Sequence, residues 1–526
     1  MRTSSNIASF ALVVSAALGA SALNDWSVPC TQGQCSYDLP AAEGAPSGSL
    51  KIWGSSGAIS DITHAAGWTI LDCNPHIMDQ DIRMVCHNPA GQCGHLLENG
   101  AEGKIVRLPE NCGKMPFAHV KRAWIPKDQS MPAVSGIKAR DDTSGVVQAL
   151  ALSTNFAAAS PSDGNVSFAI QGTSLPGANG DFNVTADAQR RSEIRADIAR
   201  RGFISNALQK LSNLTKFNKT LSETLPPIDF DKPFNLFNTS IDCPANQFVP
   251  AAFSAKVSVD VEAKMHAVIQ VGVVAAGTVI PPKITEIGVF GGLDGNMDST
   301  LTVKANGIGK FDSGDIPIFE AGIPGLDFPG FLSIGPTFKV NGHVTADLEL
   351  DLDASVDLNY NFDGVKLLFP PQEGSSSGSF TKGTNALSVS TSPTLDATAN
   401  IEGHLIPSLN IGINALGGTA QATVFLNLDA SATVALNSTA TARLSASNTA
   451  GGSAGASVQG CVDISSALNV AGGASANFLN LFDQSKTVNL FQKNFDLFSV
   501  RPSLTDRVRR QLMFRVEVRR SQYWRC

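Results

Sequence analysis

The run KVSVDVEAKMHAVIQVGV, residues 256–273, carries an apolar residue at every second position: Val257, Val259, Val261, Ala263, Met265, Ala267, Ile269 and Val271. A period of two sets all eight on one side of an extended strand, whereas a helix would scatter them around its circumference. The run exceeds the usual five or six residues of a strand, which predicts a tall, strongly twisted sheet. A second run, HVTADLELDLDASVDLNYNF at 343–362, repeats the device. Leu348, Leu350, Leu352, Val356 and Leu358 share one face, and Asp347, Glu349, Asp351, Asp353 and Asp357 share the other. The chain is therefore expected to be mainly β.

Working outward, residues 342–359 (GHVTADLELDLDASVDLN) resemble residues 418–436 (GTAQATVFLNLDASATVAL), with Leu-x-Leu-Asp-Ala-Ser shared at an offset of 76. Each copy follows an Ile-Pro-x-Leu and an Ile-Gly. The economical reading is two related β-units in one large β-rich domain, 146–500, forming a twisted sheet or sandwich. Within it, Ile194, Ile198, Ile204, Leu208, Leu211 and Leu214 are spaced by three, four and six, which predicts one amphipathic helical segment at about 186–225, ended by Pro226-Pro227. Its basic pairs Arg190-Arg191 and Arg200-Arg201 read as a solvated helix face rather than processing sites.

Residues 23–132 have a different character. Six cysteines fall there, with four of the five tryptophans and five of the eight histidines, among short alternating segments punctuated by Gly, Pro and Asn. This predicts a small disulfide-stapled β-domain, joined by a Pro/Gly/Ser-rich linker at 133–145. Ahead of it, Arg2, an apolar run from Ile7 to Leu18, and Ala20-Ser21-Ala22 follow the order of a secretory signal peptide over residues 1–22. No later stretch holds the ~18 uninterrupted apolar residues of a membrane-spanning helix. Six Asn-x-Ser/Thr sequons, at Asn165, Asn183, Asn213, Asn218, Asn238 and Asn437, agree with a secreted glycoprotein.

Charge excludes one class of partner. The whole chain is −7, and residues 501–526 hold eight Arg against Asp506 and Glu517, a net of +6, so the first 500 residues carry −7 − 6 = −13. An acidic body lacks the basic footprint of a nucleic-acid binder. The Arg-rich tail 501–526, with the unpaired Cys526, departs from everything before it. It reads as translation past a splice site into non-coding sequence, in preference to a basic arm for an anionic surface.

CHNPAGQCGH, residues 86–95, looks most like chemistry. Zinc at Cys86, His87, Cys93 and His95 would need four convergent donors, but adjacent residues such as Cys86 and His87 project to opposite faces of a strand. The six-residue gap to Cys93 also misses the common ligand spacings. An even cysteine count in an oxidising compartment favours disulfides. Nearest-neighbour pairing predicts Cys30–Cys35, Cys73–Cys86 and Cys93–Cys112, with Cys243–Cys461 as a long-range staple of the β-body. No metal or cofactor is expected. Glu102 and Glu110 are the carboxylates to consider for glycoside cleavage, but no Gly-x-Ser-x-Gly elbow, His-Glu-x-x-His helix or phosphate-binding loop occurs. The acidic row Asp347–Asp357 spaces its carboxylates ~6.5–7 Å apart along a strand, too far for one calcium ion, so it reads as a solvated face.

SGAISDITHAAGWTILDC (56–73), DIRMVCHNP (81–89), IPIFEAGIPGLDFPGFLSIGPTF (316–338) and the paired β-runs together resemble an uncharacterised family of secreted basidiomycete fungal proteins. The resemblance ends near Ser499. It implies a fungal, extracellular, β-rich protein whose long β-region is similar to a domain of unknown function, in some proteins attached to chitinase-like modules. It supplies no catalytic residues. The leading expectation is a non-enzymatic secreted glycoprotein, structural or associated with cell-wall carbohydrate. A polysaccharide hydrolase and a carrier of lipid or another hydrophobic ligand are the rivals; the carrier would need a closed apolar cavity beside the helix.

Overall fold

The computed structural model describes residues 24–500 apart from 41–43, 88–92, 132–144, 160–162, 176–224, 244–252, 307–308, 329, 349–351, 371–376, 384–385, 392–396, 417–419, 439–441, 448–459 and 476–485. The expected signal peptide, the helical segment and the Arg-rich tail lie outside the described residues.

The chain is mainly β, as expected. From the amino end come β1 (Gln34–Leu39), β2 (Ser47–Trp53), β3 (Ile59–Asp61), β4 (Trp68–Asp72), β5 (Gln80–Cys86), a five-residue helix α1 (Cys93–Leu97), β6 (Ile105–Arg107), β7 (Phe117–Trp124), β8 (Gln148–Ser153) and β9 (Val166–Thr173). Longer strands follow: β10 (Ile228–Cys243), β11 (Phe253–Ile280), β12 (Lys283–Asn306), then β13 (Gly309–Asp312), β14 (Ile316–Gly322), β15 (Leu326–Phe328), β16 (Leu332–Leu348) and β17 (Leu352–Phe369). The last are β18 (Ser377–Lys382), β19 (Ala386–Thr391), β20 (Ala397–Ala415), β21 (Ala420–Ser438), β22 (Ala442–Ser447), β23 (Gly460–Ala474) and β24 (Lys486–Val500).

They form three sheets. A ten-stranded sheet runs β1-β2-β9-β11-β12-β17-β19-β22, with β10 added on β11 and β18 on β17. An eight-stranded sheet runs β13-β16-β20-β21-β23-β24, with β14 and β15 also on β16. A six-stranded sheet, β3-β6-β7-β8-β5-β4, completes the set. The opening run lies in β11, whose 28 residues span roughly 90 Å at the rise of an extended chain. Val257, Val259, Val261, Ala263, Met265, Ala267, Ile269 and Val271 are all buried, while Lys256, Glu262, Lys264 and His266 are exposed.

The two large sheets pack face to face as a sandwich, and glycines on one sheet receive large side chains from the other. Leu301 of β12 meets Gly403 of β20, Leu367 of β17 meets Gly472 of β23, and Leu236 of β10 meets Gly342 of β16. Toward the amino-terminal module, Leu326 and Phe328 of β15 press on Gly172 and Gly48. In this knob-and-gap fit the missing glycine side chains make room for leucines of the facing sheet. The small sheet docks on one end through an aromatic cluster. Phe331 sits with its ring centre 6.0 Å from Phe117, 5.2 Å from Phe156 and 6.0 Å from Phe168. Gly330, at φ +75°, takes a left-handed turn there under the thioether of Met115.

Three expectations change. First, the 133–145 boundary does not separate two units: β1 and β2 join the ten-stranded sheet through β9, and β8 inserts between β7 and β5 of the small sheet. Second, 343–362 is not one strand. The chain leaves the eight-stranded sheet at the end of β16 and enters the ten-stranded sheet at β17. Even-numbered residues face inward along β16 and along β17 as far as Phe362, so the described residues on either side of the crossing share one phase; past the bulge at 363–364 the phase reverses and Val365, Leu367 and Phe369 face inward. Third, the duplicated segments are not equivalent: the first is divided between β16 and β17, the second lies in β21 alone. Their shared Leu-Asp-Ala-Ser falls on β17 and β21, which pack on one another across the sandwich.

Candidate functional site

The cysteine-rich stretch is structural. Cys30 joins Cys35, but Cys73 pairs with Cys112 and Cys86 with Cys93, replacing the expected Cys73–Cys86 and Cys93–Cys112. Strand register gives the reason. Cys86 lies opposite Trp68 at one end of the β4–β5 hairpin, and Cys73 follows the other end, five residues away and some ~17 Å along the strand. Gly113 N–H donates to the Asn74 carbonyl, which brings Cys112 to Cys73 instead. Cys243 ends β10 and Cys461 lies in β23, on different sheets; their side chains lie outside the described residues.

His87 stacks on His64 with ring centres 4.1 Å apart, and its Nδ1 lies 3.1 Å from Thr69 Oγ1. Partial burial, and then the neighbouring His64, hold the His87 pKa below the ordinary histidine value. His95 Nδ1 instead faces Ser60 Oγ at 3.1 Å. The four residues weighed and rejected as zinc donors are engaged in a disulfide and two separate hydroxyl contacts. Among the described residues, no group of three or more His, Cys, Asp or Glu is placed to hold a metal ion.

The remaining expected residues are also apart. Glu102 accepts the Ala123 amide, whereas the charge of Glu110 bears on Tyr37. The acidic row is divided between sheets: Asp347 of β16 pairs with Lys310 at 2.7 Å, and Asp357 of β17 accepts the Thr300 hydroxyl at 2.8 Å. Asn165 and Asn238 are exposed, on the loop before β9 and on β10. Asn437 lies in β21 with its side chain outside the described residues, as are Asn183, Asn213 and Asn218 altogether.

The outer face of the eight-stranded sheet carries two features that the sequence reading passed over. At one end is an open depression of about 470 Å³ lined by Ser333, Gly335, Gly412, Asn414, Gln421 and Thr423, among others. Gly335 and Gly412 face each other across β16 and β20, leaving bare backbone as its floor. Asn414 and Gln421, directly opposed on β20 and β21, are both exposed. Ser475 continues the sheet: its N–H donates to the Thr423 carbonyl, and its Oγ accepts the Thr423 N–H. Two residues further along β21, Phe425 is half-buried on the same face, opposite Gly473 of β23. The lining has hydroxyls and amides and no charge.

The second feature lies where β16 and β20 pair His343 with His404, ring centres 5.9 Å apart. Both histidines follow a glycine (Gly342-His343 and Gly403-His404), and each glycine faces inward to admit a leucine from the facing sheet. That repeated Gly-His dipeptide is the sequence signal that would have found the pair. His343 reaches Asp312 with Nε2 at 2.8 Å and Asp315 with Nδ1 at 3.2 Å; His404 reaches Asp429 with Nδ1 at 2.7 Å and Glu402 with Nε2 at 3.4 Å. The Asp429 hydrogen bond holds the His404 pKa above the ordinary value, against the opposing effect of burial and with further help from the charges of Asp429, Glu402 and Asp315.

These features define a long-stranded β-sandwich with a disulfide-stapled module at one end. Comparison with protein families adds that a domain of unknown function, DUF7223, matches residues 291–500. The match starts inside β12 and takes in every strand of the eight-stranded sheet, including the depression and the histidine pair. No curated protein and no solved structure matches the chain. Among the described residues no helix is long and apolar enough to cross a membrane.

Proposed function

We propose that the protein is a secreted fungal glycoprotein without enzymatic activity, which associates with cell-wall polysaccharide through the outer face of its eight-stranded sheet. The observation that carries this reading is the depression at Ser333, Gly335, Gly412, Asn414, Gln421 and Thr423. An uncharged shelf of hydroxyls and amides, open along its length and floored by two glycines, suits a neutral polyhydroxylated chain that must lie flat and exchange many hydrogen bonds. Phe425 beside it offers an aromatic surface on which a sugar ring can pack. The three disulfides suit an oxidising, extracellular setting.

The carrier reading has less support, because Leu301, Leu367 and Leu236 fill the gaps left by Gly403, Gly472 and Gly342. A core interlocked in this way leaves little room for a lipid between the sheets. The test is sedimentation of the purified protein with insoluble chitin and with insoluble β-glucan, followed by mass spectrometry of the organic extract. Retention on one polysaccharide with a lipid-free extract is the expected result. No retention on either, or a stoichiometric lipid, would overturn the proposal.

A further inference from the structure

The histidine pair does more than decorate the sheet. Each of its four ring nitrogens lies within 3.4 Å of a different carboxylate: Asp312, Asp315, Glu402 and Asp429. A neutral imidazole has one N–H and one lone pair, so it can donate to only one of two flanking carboxylates and repels the other. Only the imidazolium form donates from both nitrogens at once. All four contacts are therefore favourable together only when both rings carry a second proton.

What they hold is an edge. Asp312 ends β13 and Asp315 precedes β14, two short strands that pair only with β16 along the rim of the sheet. Around this corner Ser313 N–H donates to the Val344 carbonyl, Val344 N–H donates to Ser313 Oγ, and Gly314 N–H donates to Asp312 Oδ1. His343 thus spans both sides of the corner from the neighbouring strand. His404 stands directly opposite on β20, its ring centre 5.9 Å from that of His343.

We infer that His343 and His404 form a proton-operated clasp, which fastens the Asp312–Asp315 corner to β16 in mildly acidic surroundings and loosens it when the imidazoles lose their protons. With both imidazoliums present the cluster of four carboxylates carries 2 − 4 = −2; with both neutral it carries −4, concentrated on β20, β21 and the corner.

Other nearby charges do not offset this. On β13, Lys310 is engaged by Asp347 of β16; on β14, Glu320 is engaged by Lys339 of β16. Asp327 of β15 lies opposite Ser333, ten residues along β16 from His343. On β23, neutral Asn469 stands opposite Asp429, and Asp463 lies opposite Ala435. β10 packs on β16 through Leu236 at Gly342, on the inner face and away from the imidazoles.

The sign follows from both partners. His404 has a raised pKa, so its contribution is complete below the ordinary value of about 6.5 and is lost as pH rises through its own higher value. Asp312 is held below the ordinary carboxylate value by the Gly314 amide and then by His343, so its contribution is lost only as pH falls through that lowered value. The clasp is closed between these limits.

Hydrogen exchange of the full chain, read by mass spectrometry on peptides covering 309–322 and corrected for the intrinsic rate, tests this. Protection of the corner is expected to fall about tenfold between pH 5.5 and pH 8, the loss of one charge-assisted contact of about 1.5 kcal/mol, while peptides of β11 stay unchanged. In H343Q and H404Q the pH dependence is expected to vanish. Should either variant fail to fold, the wild-type imidazole titrations followed by NMR must share the midpoint of the exchange change. Protection that is independent of pH, a dependence retained in both folded variants, or midpoints that do not coincide would each overturn the clasp.

Discussion

The amino-terminal module and the sandwich solve the same problem with opposite means. The module has strands of three to eight residues around a small apolar core of its own, which includes Trp68, Ile82, Met84, Leu96 and Leu150. It relies on disulfides and on a buried charged pair. Asp61, with no exposed side-chain surface, binds Arg107 at 2.8 Å and also accepts the Cys30 and Thr63 amides. Arg107 then donates to the Asp25 and Val28 carbonyls and lies over the Trp26 ring. One ion pair thereby ties down the start of the described chain. The sandwich uses strands of up to 28 residues and a continuous apolar interior in which side-chain shape, rather than polar bonding, sets the fit. Module stability is concentrated in a few residues; sandwich stability is spread along its length.

Perturbations should separate the two regimes. Asp61→Ala leaves the Arg107 guanidinium buried without its partner, and it should cost about 3–5 kcal/mol, read as a fall in the denaturation midpoint of the module. A loss below about 1 kcal/mol would show that Arg107 finds water or another acceptor. Gly403→Val drives a branched side chain into Leu301, and overpacking of this kind costs about 1–3 kcal/mol, read by chemical denaturation of the sandwich. A neutral outcome would mean that the sheets separate easily at this level. Lys310→Ala removes an ion pair whose side chains are 83% and 52% exposed. It should leave both midpoints unchanged within error, because water already screens such a pair.

The alternation at 256–273 was sufficient to read β11, since a half-buried strand imposes period two on its own sequence. The same rule concealed the change of sheet between β16 and β17. Val344 and Ala346 of β16 and Ala354 and Val356 of β17 are all buried even-numbered residues, so the two strands keep one phase on either side of the crossing although they belong to different sheets. Disulfide pairing depended on where hairpin ends fall in space. Nothing in the spacing of Cys73, Cys86, Cys93 and Cys112 encodes the placement of Cys112 beside Asn74. Likewise, β1 and β2 share the composition of the module, yet β2 pairs with β9, a contact over a hundred residues away that no local pattern reports. The depression was illegible for a related reason. Its polar residues come from three strands and look, one at a time, like ordinary solvated positions.

The most direct test of the functional account is the affinity of an N414A/Q421A double variant for the insoluble polysaccharide that retains the wild-type protein, measured alongside its melting temperature. Both side chains are exposed on the rim of the depression, so melting should not change. Two lost hydrogen-bonding side chains, at about 0.5–1.5 kcal/mol each, should together weaken binding by roughly five- to a hundredfold. Wild-type affinity in a variant of unchanged stability would contradict the assignment of the polysaccharide surface to this face.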